Sequence, residues 1–548
     1  MSDDSDLPVV DFHPYRWGDA GRPATLPPAA REALAALGVS GPARPPVPVA
    51  DVPLPAALPE PALAAIASAV GAGHVTTGHD ARVAHTRGWS TTDLLRLRAG
   101  DAGDAPGAVA FPGSHEEVVA VLRACSEHSI AVVPYSGGTS VTGGLAPARS
   151  GFAGVLALDL RRLDALLALD EVSRTATLQA GVRGPRAEKL LGTRGFTLGH
   201  FPQSYEGASI GGYAAARSAG QASAGYGRFD DMVVGLVLAT PRGTITLGSA
   251  PKSAAGPDLR QLVLGSEGTL GVITSVTVRV RPAPAERVYE GWRFAAFGPG
   301  ADALRRLAQD SPAGSLPAVL RLSDETETSV TRLLGGGSAG AGTEGGCLAI
   351  IGYEGTAAGV AAQRSAAAGI LTSAGGQPLG TGPGEAWRAG RYLGPYLRDA
   401  LLDAGVLAET LETAAFWSGL PRLRSAVTEA LTGSLTQQGT PPLVLCHISH
   451  VYETGASLYF TVACAQARDP VAQWRAAKAR ASEAILSCGA TISHHHGVGT
   501  DHRAAYHEEI GPLALGALRA AKCALDPAGI LNPGVLLGGD VEPGGDVE

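Results

Sequence analysis

Charge is scarce in this chain. Asp, Glu, Lys and Arg make up 17% of its 548 residues, and 51 acidic against 43 basic residues leave a formal net charge of −8. A general nucleic-acid binder needs a net basic face, so that class is set aside, although a local basic pocket is not. No run approaches the roughly 20 apolar residues of a membrane-spanning helix. The opening Met-Ser-Asp-Asp-Ser-Asp lacks the apolar stretch of a secretory signal. The expectation is a cytoplasmic protein whose only membrane contact is peripheral. The six cysteines (Cys125, Cys347, Cys446, Cys464, Cys488 and Cys523) include no Cys-x-x-Cys pair, which favours reduced free thiols over a disulfide framework or a thiolate metal site.

Apolar and small residues are abundant instead. Hydrophobic residues reach 45%, with 74 Gly and 38 Pro. That is material for two or three domains, and a background against which a single glycine says little. Residues 1–103 read as a proline-rich arm and helical lead-in, with one short helical pattern at Pro28–Leu37. Residues 104–285 mix short elements: a helix capped by Ser114 with Glu116 and Glu117 in its first turn, a helix at Gly184–Leu191, and strands at Ile130–Pro134, Gly154–Asp159, Thr175–Ala180, Asp231–Ala239, Thr244–Leu247 and Gly271–Val280. Residues 286–510 carry longer helical patterns (Ala301–Ala308, Ala357–Ala374, Arg398–Glu412) between strand runs at Gly346–Tyr353, Leu443–His450 and Ser457–Ala463. Gly335–Gly346 reads as a mobile loop, and 511–548 as a C-terminal segment that returns to the first domain and frays from Gly538. The fold class is α+β.

Directly after one apolar run comes Pro134-Tyr135-Ser136-Gly137-Gly138-Thr139-Ser140-Val141. Loops that cradle phosphate need inward N–H groups and residues without side chains where the ligand approaches. The segment is neither Gly-x-Gly-x-x-Gly nor Gly-x-x-x-x-Gly-Lys-Ser/Thr, which counts against a Rossmann dinucleotide site and an ATP loop. Alone, it is equally readable as a tight turn. Two companions follow: Gly207-Ala208-Ser209-Ile210-Gly211-Gly212, with Gly220, Tyr226 and Gly227 behind it, and Glu267-Gly268-Thr269-Leu270-Gly271-Val272-Ile273. In this order and spacing the three segments resemble the PCMH-type, two-subdomain FAD-binding domain of the vanillyl-alcohol-oxidase superfamily. The resemblance implies an FAD site built from these residues, with the first loop on the diphosphate. Where many members tether the flavin through a histidine, this chain has Thr139, so the FAD is expected to be non-covalent.

Further segments resemble the alkylglycerone-phosphate synthase branch: His200-Phe201-Pro202-Gln203-Ser204-Tyr205-Glu206, Tyr396-Leu397-Arg398-Asp399 followed by Glu409, Glu412 and Trp417, Leu458-Tyr459-Phe460-Thr461, and Ser493-His494-His495-His496-Gly497-Val498-Gly499. The resemblance implies a cap domain with an antiparallel sheet flanked by helices. It also implies exchange of the acyl group of acyl-dihydroxyacetone phosphate for a fatty alcohol through a flavin N5 adduct. Tyr459, His494, His495 and His496 would move protons and Arg398 would balance the flavin's charge. Read without the resemblance, Tyr459 is a packing residue and Arg398 pairs with Asp399 or Asp403. Arg321 matches the same branch, a resemblance that implies a phosphate or carboxylate partner; without it, Arg321 reads as pairing with Asp324. No metal is expected, because three adjacent histidines point in different directions and no second cluster at ligand spacing accompanies them. After Gly499 the synthases carry a basic residue, whereas here Thr500-Asp501-His502-Arg503 follows, with Arg503 as the substitute substrate-binding cation. The alternative is an FAD-linked oxidase or dehydrogenase of a D-2-hydroxy acid. A small-molecule or lipid-like substrate is the expected partner, no nucleic acid is, and a homodimer is a further partner reading.

Overall fold

The computed structural model describes residues 7–10, 12–18, 24–42, 44–311, 316–334 and 345–538. The glycine-rich loop over 335–344 and the tail beyond 538 lie outside the described residues.

Among the described residues, three larger sheets organise the fold beside a two-stranded ladder of Phe196–Thr197 with Arg281–Pro282. The first runs in the order Val75–Thr76, Ala108–Ala110, Gly154–Asp159, Ile130–Tyr135, with the last three parallel. Helix His115–Glu127 makes the crossover. The Ser114 hydroxyl accepts from Glu117 N at 3.1 Å, as the sequence predicts, and Val118, Val121, Leu122 and Cys125 bury one face against the sheet. Ile130–Tyr135 would be an exposed edge, but the C-terminal segment covers it. Val132 N donates to Ile530 O and Asn532 N donates to Val132 O, both at 2.8 Å. The second sheet is antiparallel, in the order Leu166–Asp170, Thr175–Gln179, Val272–Arg279, Val233–Thr240, Gly243–Leu247. The strand expected from Asp231 starts at Val233, because Phe229–Met232 form a helical turn.

The third sheet is antiparallel, with seven strands in the order Gln377–Gly380, Glu286–Phe294, Cys347–Gly355, Val319–Ser323, Leu443–Val451, Gly455–Ala465, Val406–Phe416. Successive side chains alternate faces. Leu320, Leu322, Cys446, Ile448, Leu458, Phe460 and Val462 join the core beneath helices Phe297–Asp310, Ala357–Ser373, Leu420–Gln437 and Pro470–Ser487. Arg321, His447, Tyr459 and Thr461 therefore share the opposite face.

One element corrects the sequence reading. Arg398–Glu412 is not a helix. The helix is Gly394–Asp403, the chain turns at Gly405, and Val406–Phe416 is a strand. Leu, Ala and Glu favour helix locally. Here all eleven residues pair with Gly455–Ala465, and the ladder with its cross-strand contacts overrides that preference. Strand geometry then puts Thr410 and Glu412 on the same face as Tyr459. Among the described residues no helix is long and apolar enough to cross a membrane.

Candidate active site

The first glycine loop leaves the carboxyl end of Ile130–Tyr135 and meets the second segment at once. A Cβ on Gly137 would lie 2.2 Å from the Gly207 carbonyl oxygen, so only glycine fits. Arg183 locks this junction by donating to Ser136 O at 3.1 Å. The Ser136 hydroxyl is buried with no hydrogen-bond partner among the described residues, an orphan of the kind a bound phosphate oxygen satisfies. Ser140 Oγ accepts from Gly144 N, and Val141 packs against the Trp17–Trp89 pair. Ser209 caps helix Ile210–Ala216 by accepting from Gly212 N at 3.3 Å. Gly268 lies on Pro134, Thr269 Oγ1 donates to Ser266 O, and Gly271 leads into the strand that carries Val272 and Ile273. These residues fit an FAD diphosphate, and residues 134–141 offer no histidine or cysteine to bond it.

Some residues expected on the cofactor do other work. The Tyr226 hydroxyl donates to Glu354 Oε2 in the cap at 2.8 Å, so its side chain ties the two halves together. Gly211 lies against Ala180, Gly220 against the Phe201 backbone, and Gly227 ends a short helix. Glu267 gives both carboxylate oxygens to the histidine turn, accepting from Val498 N at 2.6 Å and Gly499 N at 2.8 Å. Burial pushes its carboxyl up to about 7. Gly497, at φ +86°, completes that turn in a conformation that side chains oppose.

Glu412 is the residue that sequence reasoning left without a role. Its fully buried carboxylate accepts from Ser493 Oγ (2.7 Å) and from the backbone N–H groups of His494 (2.7 Å), His495 (3.1 Å) and His496 (2.9 Å). Burial opposes its charge, yet His495, 3.4 Å away, helps to hold it well below the ordinary carboxyl range. Around this anchor the rings converge. Tyr459 stacks on His447 at 4.9 Å and lies 6.1 Å from His495 and 5.4 Å from His496. The Tyr459 hydroxyl donates to Thr410 Oγ1 at 3.0 Å, and burial pushes the phenol up to about 12. Burial pushes His496 down to about 3 and His494 well below its usual value. His494 Nε2 meets the Tyr452 hydroxyl at 2.7 Å.

The structure also corrects the premise that no further ligand-spaced group accompanies the histidines. A bulge between Ile448 and Val451 turns His450 toward them, where Ser223 Oγ holds its Nδ1 at 2.6 Å. The ligand atoms of His450, His494 and His495 lie within 4.8 Å of one another. No sequence spacing could show this, because the bulge sets it.

The arginines part ways. Arg398 donates to the Trp89 carbonyl and lies 3.5 Å from Asp399, leaving Nε buried without a hydrogen-bond partner among the described residues. Trp89 N in turn donates to Ser140 O at 2.6 Å, which links Arg398 to the first loop. Arg321 pairs with Glu327 at 2.6 Å, while Asp324 pairs with Arg424. Arg503 donates to the Gly534 carbonyl of the returning C-terminal segment. The cation beside Asp501 is Lys478, 3.1 Å away. A cavity of about 1050 Å³ opens beside the turn, lined by His494, His495, Tyr452, Arg228, Phe416 and Leu536 among others.

Residues 106–248 match the FAD binding domain family, and residues 283–536 match the C-terminal domain family of FAD linked oxidases. The chain is 33% identical over 477 residues to the alkyldihydroxyacetonephosphate synthase of Dictyostelium discoideum, covering 83% of this chain and 77% of that protein. It is 29% identical over 445 residues to an uncharacterized FAD-linked oxidoreductase of Escherichia coli, covering 79% of this chain and 89% of the relative. A solved alkyldihydroxyacetonephosphate synthase superposes with a TM-score of 0.81 at 27% identity, over 95% of this chain and 98% of the other. The likeness runs through both halves, through the glycine cradle and the histidine turn alike, and the chain therefore belongs to the alkyldihydroxyacetonephosphate synthase family of FAD-dependent enzymes.

Proposed function

We propose that this enzyme exchanges the acyl group of acyl-dihydroxyacetone phosphate for a fatty alcohol, a step of ether-lipid synthesis, with no net redox change. The observation that carries the reading is the ring group of Tyr459, His447, His495 and His496, gathered around the turn that Glu412 anchors and that Thr142 and Glu267 tie to the glycine cradle. FAD held non-covalently in that cradle would supply the flavin N5 that the resemblance implies as nucleophile.

The protein's part is proton handling and charge. His496, kept neutral by burial, accepts a hydrogen bond from the hydroxyl of the incoming alcohol and orients it, and the proton the alcohol loses leaves to solvent with the released palmitate. Tyr459 keeps its own proton, because burial raises the phenol, and donates a hydrogen bond to the departing carboxylate oxygen. Arg398, fixed by the Trp89 carbonyl and carrying an unpartnered Nε, stabilises negative charge that develops beside it. Labelled hexadecanol incubated with the holoenzyme and palmitoyl-dihydroxyacetone phosphate should appear in an ether product, with one equivalent of palmitate released. Palmitate release without label incorporation would refute the exchange.

A further inference from the structure

Arg321 is the arginine nearest in register to the reacting rings. It shares the open sheet face with His447 and Tyr459, on the strand paired directly to His447 through Ser323. Its guanidinium is already answered. Glu327, in the first turn of helix Glu325–Leu334, binds Arg321 Nη2 at 2.6 Å through one carboxylate oxygen and His447 Nδ1 at 2.9 Å through the other. Asp324 fixes that turn by accepting from Glu327 N at 2.8 Å. Burial and Arg321 push His447 down, so at neutral pH the imidazole adds no positive charge. Of the other cations, Lys478 pairs with Asp501 at 3.1 Å, while Arg398 lies 3.5 Å from Asp399 and donates to the Trp89 carbonyl, which ties it to the first loop.

A phosphate dianion arriving at Arg321 meets a cation that Glu327 already compensates. To bind Arg321 it would have to displace Glu327 and strand a buried carboxylate, a change that is strongly unfavourable. We propose that Glu327 is a specificity-determining residue: it occupies the anion-binding side of Arg321, so that the polar end of the preferred substrate is an uncharged, hydroxyl-bearing group and phosphate is tolerated rather than recognised. The proposal rests on the exchange reading only for the acylated dihydroxyacetone scaffold.

The test is a calorimetric titration of the FAD-loaded enzyme with palmitoyl-dihydroxyacetone phosphate and with its unphosphorylated form. The wild type should bind the unphosphorylated form at least as tightly as the phosphate. Glu327→Gln, which frees Arg321, should tighten the phosphate form by about tenfold or more while leaving the other within about twofold. A wild type that prefers the phosphate by about tenfold would overturn the proposal, whether or not the variant folds. So would a variant with an unchanged ratio, or one in which neither form binds. Label exchange run on the same samples separates the two readings: binding that follows Glu327 without any exchange rejects the reaction and leaves the role of Glu327 intact.

Discussion

In the proposed exchange Glu412 holds the site and Tyr459 takes part in the reaction. Glu412 accepts four donors from the turn Ser493–His496 with one buried carboxylate. Glu412→Gln keeps the shape but turns an amide NH2 toward N–H donors. We expect a loss of about 3 kcal/mol in stability, measured by chemical denaturation, together with loss of exchange activity. Tyr459→Phe removes only a hydroxyl whose acceptor is Thr410. The variant should retain FAD, unfold at nearly the wild-type temperature and lose roughly 100-fold or more in turnover. Full activity would take Tyr459 out of the mechanism.

At the scale of elements, the histidine turn is built by three segments far apart in sequence: strand Val406–Phe416 through Glu412, the third cofactor segment through Glu267, and the first loop, where Thr142 O accepts from Thr500 N and Asp501 N at 3.0 Å. Within it, burial depresses His450, His494 and His496. A histidine depressed in the folded state takes up its proton first in the unfolded chain, so stability is full above about pH 6.5 and falls as pH drops below it. By pH 5 the loss from His496, held at about 3, should approach roughly 2 kcal/mol. Thermal unfolding midpoints should fall between pH 7 and pH 5, and His496→Gln should flatten that slope. A slope unchanged in the variant would contradict a neutral, buried His496. This element also marks the limit of the sequence. The loops at Gly137 and Gly497 are legible because close approach and positive φ demand glycine at fixed places. Glu412 was hidden by a helical composition that cross-strand pairing overrules, His450 by a bulge, and Glu327 by a helix turn that meets its arginine only through the fold.

Across the whole molecule, the N-terminal arm ties the cofactor half to the cap, and the C-terminal segment ties the cofactor loops to one another. At the N-terminal side, Trp17 N donates to Asp399 Oδ2 at 2.5 Å beside Arg398, and Val10 N donates to Glu206 O beside Gly207. At the C-terminal side, Asn532 donates from its amide to Gly144 O at 2.9 Å and to Glu267 O at 2.7 Å, joining the first and third cofactor segments. Asn532→Ala leaves both buried carbonyls short of a donor. It should lower stability by about 1–3 kcal/mol and weaken FAD retention on gel filtration, with little change in the secondary-structure spectrum. The exchange proposed above asks one arrangement of both ties: the rings of Tyr459 and the histidine turn kept joined to the cradle, with protons handled by the protein and no net transfer of electrons.

The flavin's visible absorbance during turnover tests that arrangement most directly. Followed anaerobically in the holoenzyme with palmitoyl-dihydroxyacetone and its phosphate plus hexadecanol, the oxidised band should be restored once exchange is complete, and D-lactate or D-2-hydroxyglutarate should leave it unchanged. Rapid, lasting bleaching by either hydroxy acid would contradict the account and make the enzyme a dehydrogenase.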